Sequence, residues 1–123
     1  MKNLEQVRAR NALAALSKYN EFRGKKEGDP LTGFPALIIG NGLLAAIAFS
    51  KKNKGGHESI CNAIAEHLAC EEIGRLDAQN PTVDTLLSHL TENESDELRV
   101  CTSEVLAYLN FLRRFAKAQA ENN

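Results

Sequence analysis

Two histidines and two cysteines fall within a span of 14 residues, at His57, Cys61, His67 and Cys70. Imidazole and thiolate are ligands that zinc prefers in proteins, so this group is the first place to look for a metal site. On one helix, however, the second pair projects about 80–140° away from the first pair, and the four side chains cannot close one tetrahedron. We therefore expect no bound metal and no cofactor.

Four acidic residues form a second group with catalytic potential, namely Glu92, Glu94, Asp96 and Glu97. Acidic residues at the start of a helix are accounted for by capping and by the helix dipole. His89 is the one histidine near this run, and no second set of carboxylates mirrors it. No nucleophile signature, P-loop or G-x-G-x-x-G motif occurs in the chain. We expect a protein that is not an enzyme and has no small-molecule substrate.

Basic residues gather at two places, and the charge along the chain is strongly segregated. Residues 1–54 carry a net charge of +6, residues 55–112 carry −9, and residues 113–123 carry +2. Solvated cations are ordinary at helix ends, but this segregation favours contact with a polyanion. No aromatic residue lies beside the lysine cluster, so phosphate contacts are favoured over base stacking. The candidate residues are Lys51, Lys52, Lys54, Arg113, Arg114 and Lys117.

Two further residues stand out because they do not fit their surroundings. Arg8 falls in the centre of the apolar stripe of the first predicted helix, so its guanidinium needs an acidic partner or an interface. Glu104 and Glu97, which flank the apolar stripe of the last helix, are the expected partners. Asn41 stands between two glycines in an apolar segment. Either a neighbouring helix backbone approaches closely there, or a kink presents Asn41 to a ligand.

Helical periodicity runs through most of the chain, and strand alternation is nearly absent. The pattern predicts helices over about 3–23, 35–53, 57–73, a short stretch after an N-cap at Asn80, and 95–120, with a polar linker over 24–33. The second helix is apolar all round, which predicts a central buried helix. The inward residues of the first helix are predicted to be Leu4, Ala12, Ala15, Leu16, Tyr19 and Phe22. Those of the third helix are Ile60, Cys61, Ile64 and Leu68, and those of the last helix are Leu98, Cys101, Val105, Tyr108, Leu112 and Phe115. We predict an all-α fold, a single domain over residues 1–123 forming a compact bundle of about five helices.

Length and composition set the class of protein. The chain has 123 residues, 43% of them hydrophobic and 25% charged, which is globular composition for one domain. An odd number of cysteines favours a reducing compartment. The longest apolar stretch, from Phe34 to Phe49, is shorter than the roughly 20 residues that cross a bilayer. We expect a cytoplasmic protein that does not contact a membrane.

Three segments resemble a known family. They are LEQVRARNALAAL near the start, FPALIIGNGLLAAIAF in the middle and TSEVLAYLNFLRRFAKA near the end. In order and in spacing they are similar to the small all-helical subunit of the type III-B CRISPR effector, the Cmr complex. The middle segment is the most specific. Phe111 stands where the family often has tryptophan, a departure that keeps an aromatic residue.

The resemblance implies a non-catalytic structural subunit of an RNA-guided complex that targets RNA in antiviral defence. Several copies would stack into a filament along the duplex of CRISPR RNA (crRNA) and target RNA, beside the backbone subunit that supplies the nuclease. The partners implied are other Cmr subunits, further copies of this chain, and the crRNA and target RNA. With this resemblance, the six basic candidates become predicted RNA-binding residues. Two alternatives stay open: the small subunit of the type III-A (Csm) complex, and a helical metal-dependent hydrolase built around His57, Cys61 and the acidic run.

Overall fold

The computed structural model describes residues 2–19, 22, 30–52 and 56–121. Within these ranges the chain forms six α-helices and no strand, which confirms the all-α prediction. None of the described helices combines the length and the apolar character that a membrane span requires. The helices are α1 (Leu4–Lys18), α2 (Pro30–Asn41), α3 (Leu43–Lys52), α4 (Gly56–Ala69), α5 (Val83–Glu92) and α6 (Ser95–Glu121).

Helix α1 begins at a capping box and ends earlier than predicted. The Asn3 side chain accepts from the Gln6 backbone at 2.9 Å, and the Gln6 side chain accepts from the Asn3 backbone at 2.9 Å. The predicted extension to residue 23 is wrong, because Tyr19 adopts an extended backbone and Phe22 turns into the core, where it is buried. Leu4, predicted to face inward, is instead 48% exposed.

The predicted second helix is two helices, separated at Gly42. Gly42 has a φ of +94°, a conformation that side chains with a Cβ disfavour, and this residue ends α2 and starts the turn into α3. A Cβ at Gly40 or Gly42 would meet no atom within 4 Å, so the predicted close approach of another backbone is wrong. Asn41 is exposed, and its amide donates only a long hydrogen bond, 3.4 Å, to the Leu37 carbonyl.

The predicted linker over 24–33 is also wrong at its end. Helix α2 already begins at Pro30, because proline fits the first turn of a helix, where its missing N–H needs no partner. Pro35, predicted to open this helix, therefore lies inside it. The prediction for residues 24–29, and for the helix end at residue 53, lies outside the described residues.

The most buried helix is α4, and not the apolar α2–α3 segment. Eight residues of α4 are buried, among them Ile60, Ile64 and Leu68, which were predicted to face inward. Helices α2 and α3 bury one side and leave apolar groups on the other, with Ile39 75% exposed and Phe49 42% exposed. The segment that is apolar on every side therefore forms two helices, each with one face in the core and one apolar face at the surface.

The last two helices complete the core. Helix α4 ends at Ala69, before the predicted residue 73, and Gly74 closes the following turn with a φ of +63°. The N-cap of α5 is Thr82, two residues after the predicted Asn80, because Thr82 and Thr85 form a capping box. Helix α6 has 27 residues and packs along α1, burying Cys101, Val105, Tyr108 and Leu112 as its spacing predicts.

Candidate functional site

Arg8 forms a two-point ion pair with Glu104 across the contact between α1 and α6. Its Nε lies 2.8 Å from Glu104 Oε2, and its Nη2 lies 2.7 Å from Oε1. Only 23% of the Arg8 side chain and 11% of the Glu104 side chain are exposed. Side-by-side pairing of a guanidinium with a carboxylate is the strongest geometry for such a pair. The prediction that Arg8 pairs with Glu104 is confirmed.

His67 extends this pair into a buried network, which the sequence did not indicate. His67 Nε2 lies 2.9 Å from Glu104 Oε2, and Nδ1 lies 2.9 Å from the Asn11 amide nitrogen. The amide nitrogen of Asn11 can only donate, so the neutral ring of His67 accepts at Nδ1 and donates from Nε2. The ring also stacks on Tyr108 with 4.1 Å between centroids. We call these five residues the interior network: Arg8, Asn11, His67, Glu104 and Tyr108.

Burial and hydrogen bonding set the protonation states in the interior network. Burial lowers the pKa of His67 despite its contact with Glu104, so the ring stays neutral. Burial works to raise the pKa of Glu104, but the hydrogen bonds from Arg8 and His67 hold it below its usual range. Hydrogen bonding to Glu104 raises the pKa of Arg8. The network therefore holds one cation, one anion and a neutral histidine.

Glu97, the other expected partner of Arg8, instead binds residues around the start of α6. Its Oε1 lies 2.9 Å from Arg75 Nη1, and its Oε2 lies 2.8 Å from His89 Nε2. The buried thiol of Cys101 donates to the same Oε2 at 3.3 Å. The hydrogen bond from His89 is the main cause that lowers the pKa of Glu97. The sequence offered one signal of the contact between Glu97 and Cys101, because the two residues stand four positions apart on one helix.

The lysine cluster at the end of α3 is only partly available to a ligand. Lys51 forms an ion pair with Asp84 of α5, and both side chains are largely exposed. Lys52 is exposed and has no acidic partner among residues 2–19, 22, 30–52 and 56–121. Lys54 lies outside the described residues. Of the two lysines of this cluster that the structure describes, Lys52 is therefore the one without a carboxylate partner.

The second basic cluster lies near the end of α6, and all three of its side chains are exposed. Arg113 and Arg114 make only weak contacts with the Asn110 side-chain oxygen, at 3.5 and 3.3 Å. No carboxylate pairs with Arg113, Arg114 or Lys117 in the part of the chain that is described. No hydrogen bond or ion pair there joins this cluster to the lysine cluster, which lies against a different helix.

Arg113 also borders an open groove between α2 and α6. The groove has a volume of about 480 Å³ and includes the exposed Ile39. We call the groove and the basic cluster together the α2–α6 surface. Its residues are Thr32, Pro35, Ile39, Leu106, Ala107, Asn110, Arg113, Arg114 and Lys117.

The histidine and cysteine group from the sequence does not form one site. The Cys61 thiol donates to the Ser50 hydroxyl at 3.0 Å, and burial raises its pKa to about 11. His57 packs edge-on against Phe49, and His67 belongs to the interior network. Among the described residues, the one set of three or more potential ligands close enough to share an ion is His89, Glu97 and Cys101.

Comparison with known proteins places the chain in a family. The family model described as CRISPR-associated protein (Cas_Cmr5) matches residues 4–119, nearly the whole chain. No curated protein and no solved structure gives a significant match. The match selects the type III-B (Cmr) interpretation over the type III-A alternative, and it implies association with other subunits of that complex. The chain belongs to the Cmr5 family of CRISPR-associated proteins, the small subunits of the Cmr complex.

Proposed function

We propose that this chain is a non-catalytic structural subunit of a type III-B complex that targets RNA in antiviral defence. Several copies stack along the duplex of crRNA and target RNA in the cytoplasm, beside the backbone nuclease subunit. Family membership supports the assembly, and the exposed cations at the end of α6 support the contact with RNA. The observation that carries the proposal is the absence of acidic partners for Arg113, Arg114 and Lys117 within the described ranges.

Charge pairing separates the cations that already have a carboxylate partner from those available to RNA. Arg8, Arg10, Arg75 and Arg99 each contact a carboxylate, at distances from 2.7 to 3.1 Å. A cation already paired with a carboxylate must break that pair before it neutralises a phosphate. The α6 cluster has no such pair to break, so its contact with phosphates releases counterions at no internal cost. We therefore assign RNA contact first to Arg113, Arg114 and Lys117, then to Lys52, and after it to Lys51. Lys54 lies outside the described residues and keeps its prediction from the sequence.

Exposed apolar groups support contacts with neighbouring protein subunits. Ile39 lies in the α2–α6 surface, and Leu4 and Val100 border a second groove, of about 350 Å³, between α1 and α6. Leu4 is 48% exposed and Val100 is 37% exposed. Burying such groups against a partner contributes about 25 cal/mol per Å² of apolar area. One groove is lined by α2 and α6 and the other by α1, α6 and the segment after α4, and contact with neighbouring subunits would cover both.

The environment of the two buried thiols supports a non-catalytic role. Burial raises the pKa of Cys61 to about 11 and that of Cys101 to about 12. Nucleophilic catalysis by cysteine requires the thiolate, which is scarce at neutral pH when the pKa is this high. Of the three partly buried carboxylates in the described ranges, Glu97 and Glu104 are each held by an arginine and a histidine, and Glu66 is held by Lys18 and Tyr19.

Reconstitution of the complex with and without this chain tests the proposal. We expect the purified chain to leave single-stranded RNA intact, and the complex that lacks it to lose affinity for target RNA. Nuclease activity of the backbone subunit is measured in both preparations to control for its folding. Metal-dependent cleavage of RNA by the chain alone, persisting through stringent purification, would overturn the non-catalytic role.

A further inference from the structure

We propose that His89, Glu97 and Cys101 form a binding site for a zinc ion that joins α5 to α6. His89 comes from α5, and the other two residues lie four positions apart on one face of α6. The site lies apart from the basic cluster of α6 and from the groove between α2 and α6, while Arg75, which pairs with Glu97, also lines the groove between α1 and α6. Metal binding at this site does not depend on the proposed assembly. It would add a metal-dependent element of stability to a fold otherwise held by its apolar core.

The three potential ligand atoms converge on one point. His89 Nε2 lies 2.8 Å and Cys101 Sγ lies 3.3 Å from the same oxygen, Glu97 Oε2. All three ligand atoms lie within 4.8 Å of one another. Bonds of about 2.0–2.3 Å in a tetrahedral zinc site set ligand atoms about 3.3–3.8 Å apart. An ion therefore requires the His89–Glu97 contact to open by about half an ångström, and the widest separation, which is at most 4.8 Å, to close by up to about 1 Å.

The ion would take the place of the two protons that now lie between Glu97 Oε2 and its neighbours, one on His89 Nε2 and one on Cys101 Sγ. The thiol proton leaves to solvent as the sulfur–metal bond forms, and the imidazole proton moves from Nε2 to Nδ1. The side-chain nitrogen of Asn93, which lies 3.3 Å from Nδ1, must then turn away because it is also a donor. One proton is thus released for each ion bound, with no change of oxidation state. Water completes the tetrahedron as the fourth ligand.

The surroundings fit a cation and provide an entry path. Arg75 holds the other carboxylate oxygen, Oε1, at 2.9 Å and so leaves Oε2 directed at His89 and Cys101. A groove of about 400 Å³ borders His89 and is lined by three carboxylates, of which Asp77 and Glu92 attract a cation while Asp84 is paired with Lys51. Imidazole, thiolate and carboxylate together favour zinc or cobalt over magnesium, which prefers oxygen ligands.

Cobalt titration of the purified full-length chain tests the site, because a cobalt–thiolate bond gives a charge-transfer band in the near ultraviolet. We expect one Co²⁺ per chain, displaced by equimolar Zn²⁺ and not by excess Mg²⁺. Cys101→Ser should abolish the band, and Cys70→Ser should leave it unchanged as the matched cysteine control. His89→Gln, at a partly exposed position, should weaken cobalt binding by at least about tenfold.

Three results would overturn the proposal. The first is a wild-type protein that shows no thiolate band. The second is a band that persists in Cys101→Ser and disappears in Cys70→Ser, which would place the metal on the more exposed thiol. The third is cobalt affinity of His89→Gln equal to that of wild type. Circular dichroism of each variant establishes that it is folded, and if Cys101→Ser is not, His89→Gln decides the outcome.

Discussion

The interior network and the α2–α6 surface use similar residues for opposite purposes. In the interior network, Arg8 is held by Glu104 in a setting where 11% of the carboxylate side chain is exposed. On the α2–α6 surface, Arg113 and Arg114 reach only a neutral amide on their own helix. An arginine therefore has a structural role where a carboxylate lies beside it, and it is available to a ligand where no carboxylate does.

The comparison predicts its largest effect on stability at Arg8. Arg8→Ala leaves the buried carboxylate of Glu104 with His67 as its remaining partner. We expect a loss of about 3 kcal/mol in the free energy of unfolding, the low end for breaking a buried pair, because Glu104 keeps one hydrogen bond. Urea denaturation of the isolated chain measures this loss.

Arg10→Ala is the matched control for that variant, since Arg10 lies on the same helix and pairs with Glu72. Both of those side chains are more than 40% exposed, and solvent screens pairs of this kind. We expect Arg10→Ala to change stability much less than Arg8→Ala. Unchanged stability of Arg8→Ala together with loss of complex assembly would instead make Arg8 an interface residue.

A smaller effect is expected where the chain turns between α2 and α3. Gly42→Ala places a Cβ at a φ of +94°, which costs about 1–2 kcal/mol. Gly40→Ala, in a helix with open space around it, should stabilise the isolated chain by about 0.5–1 kcal/mol. Thermal denaturation distinguishes the two variants. Equal effects would mean that Gly42 does not impose the break between the helices.

The buried histidine predicts how stability changes with pH. The pKa of His67 is lowered from 6.5, so below that pH the unfolded chain binds more protons than the folded chain. Stability therefore falls as the pH drops below about 6.5, by at most about 1.4 kcal/mol per unit for this group. The lowered pKa of Glu104 adds a loss in the same direction at more acidic pH.

His67→Gln should flatten this dependence between pH 6.5 and 5, although it lowers stability at pH 7 because the stacking on Tyr108 is removed. Free energies of unfolding of wild type and variant, measured across that range, give the two slopes. Parallel slopes would show that another group controls the acid sensitivity of the fold.

Local signals in the sequence were sufficient for the all-α class and for most of the helices, though not for their ends, and for one long-range contact. The apolar spacing of α6 predicted its buried face, and the position of Arg8 in an apolar stripe predicted a pair with Glu104 or Glu97, of which Glu104 is the partner. Both predictions succeed because an apolar stripe must be buried and a buried charge must be paired, so few arrangements satisfy either sequence pattern.

The rest depended on contacts between distant residues. The buried position of His67 requires Asn11, Glu104 and Tyr108, which lie on two other helices. The break at Gly42 was missed because glycine also occurs where helices approach closely, and composition does not distinguish these uses. Likewise, the ion pair of Lys51 with Asp84 depends on how α3 packs against α5, which periodicity does not give.

The most direct test of the account is the affinity of reconstituted complexes for target RNA at two salt concentrations. Replacing Arg113, Arg114 and Lys117 with Glu should leave the stability of the isolated chain nearly unchanged, because no carboxylate in the described structure pairs with them. The same variant should weaken RNA binding and reduce the salt slope by about 0.7–0.9 for each phosphate that is no longer neutralised. The matched control replaces Glu92, Glu94 and Asp96 with Lys and should retain the wild-type slope. Equal affinities and equal salt slopes for all three complexes would contradict the account, since the α6 cluster would then be a solvated helix end.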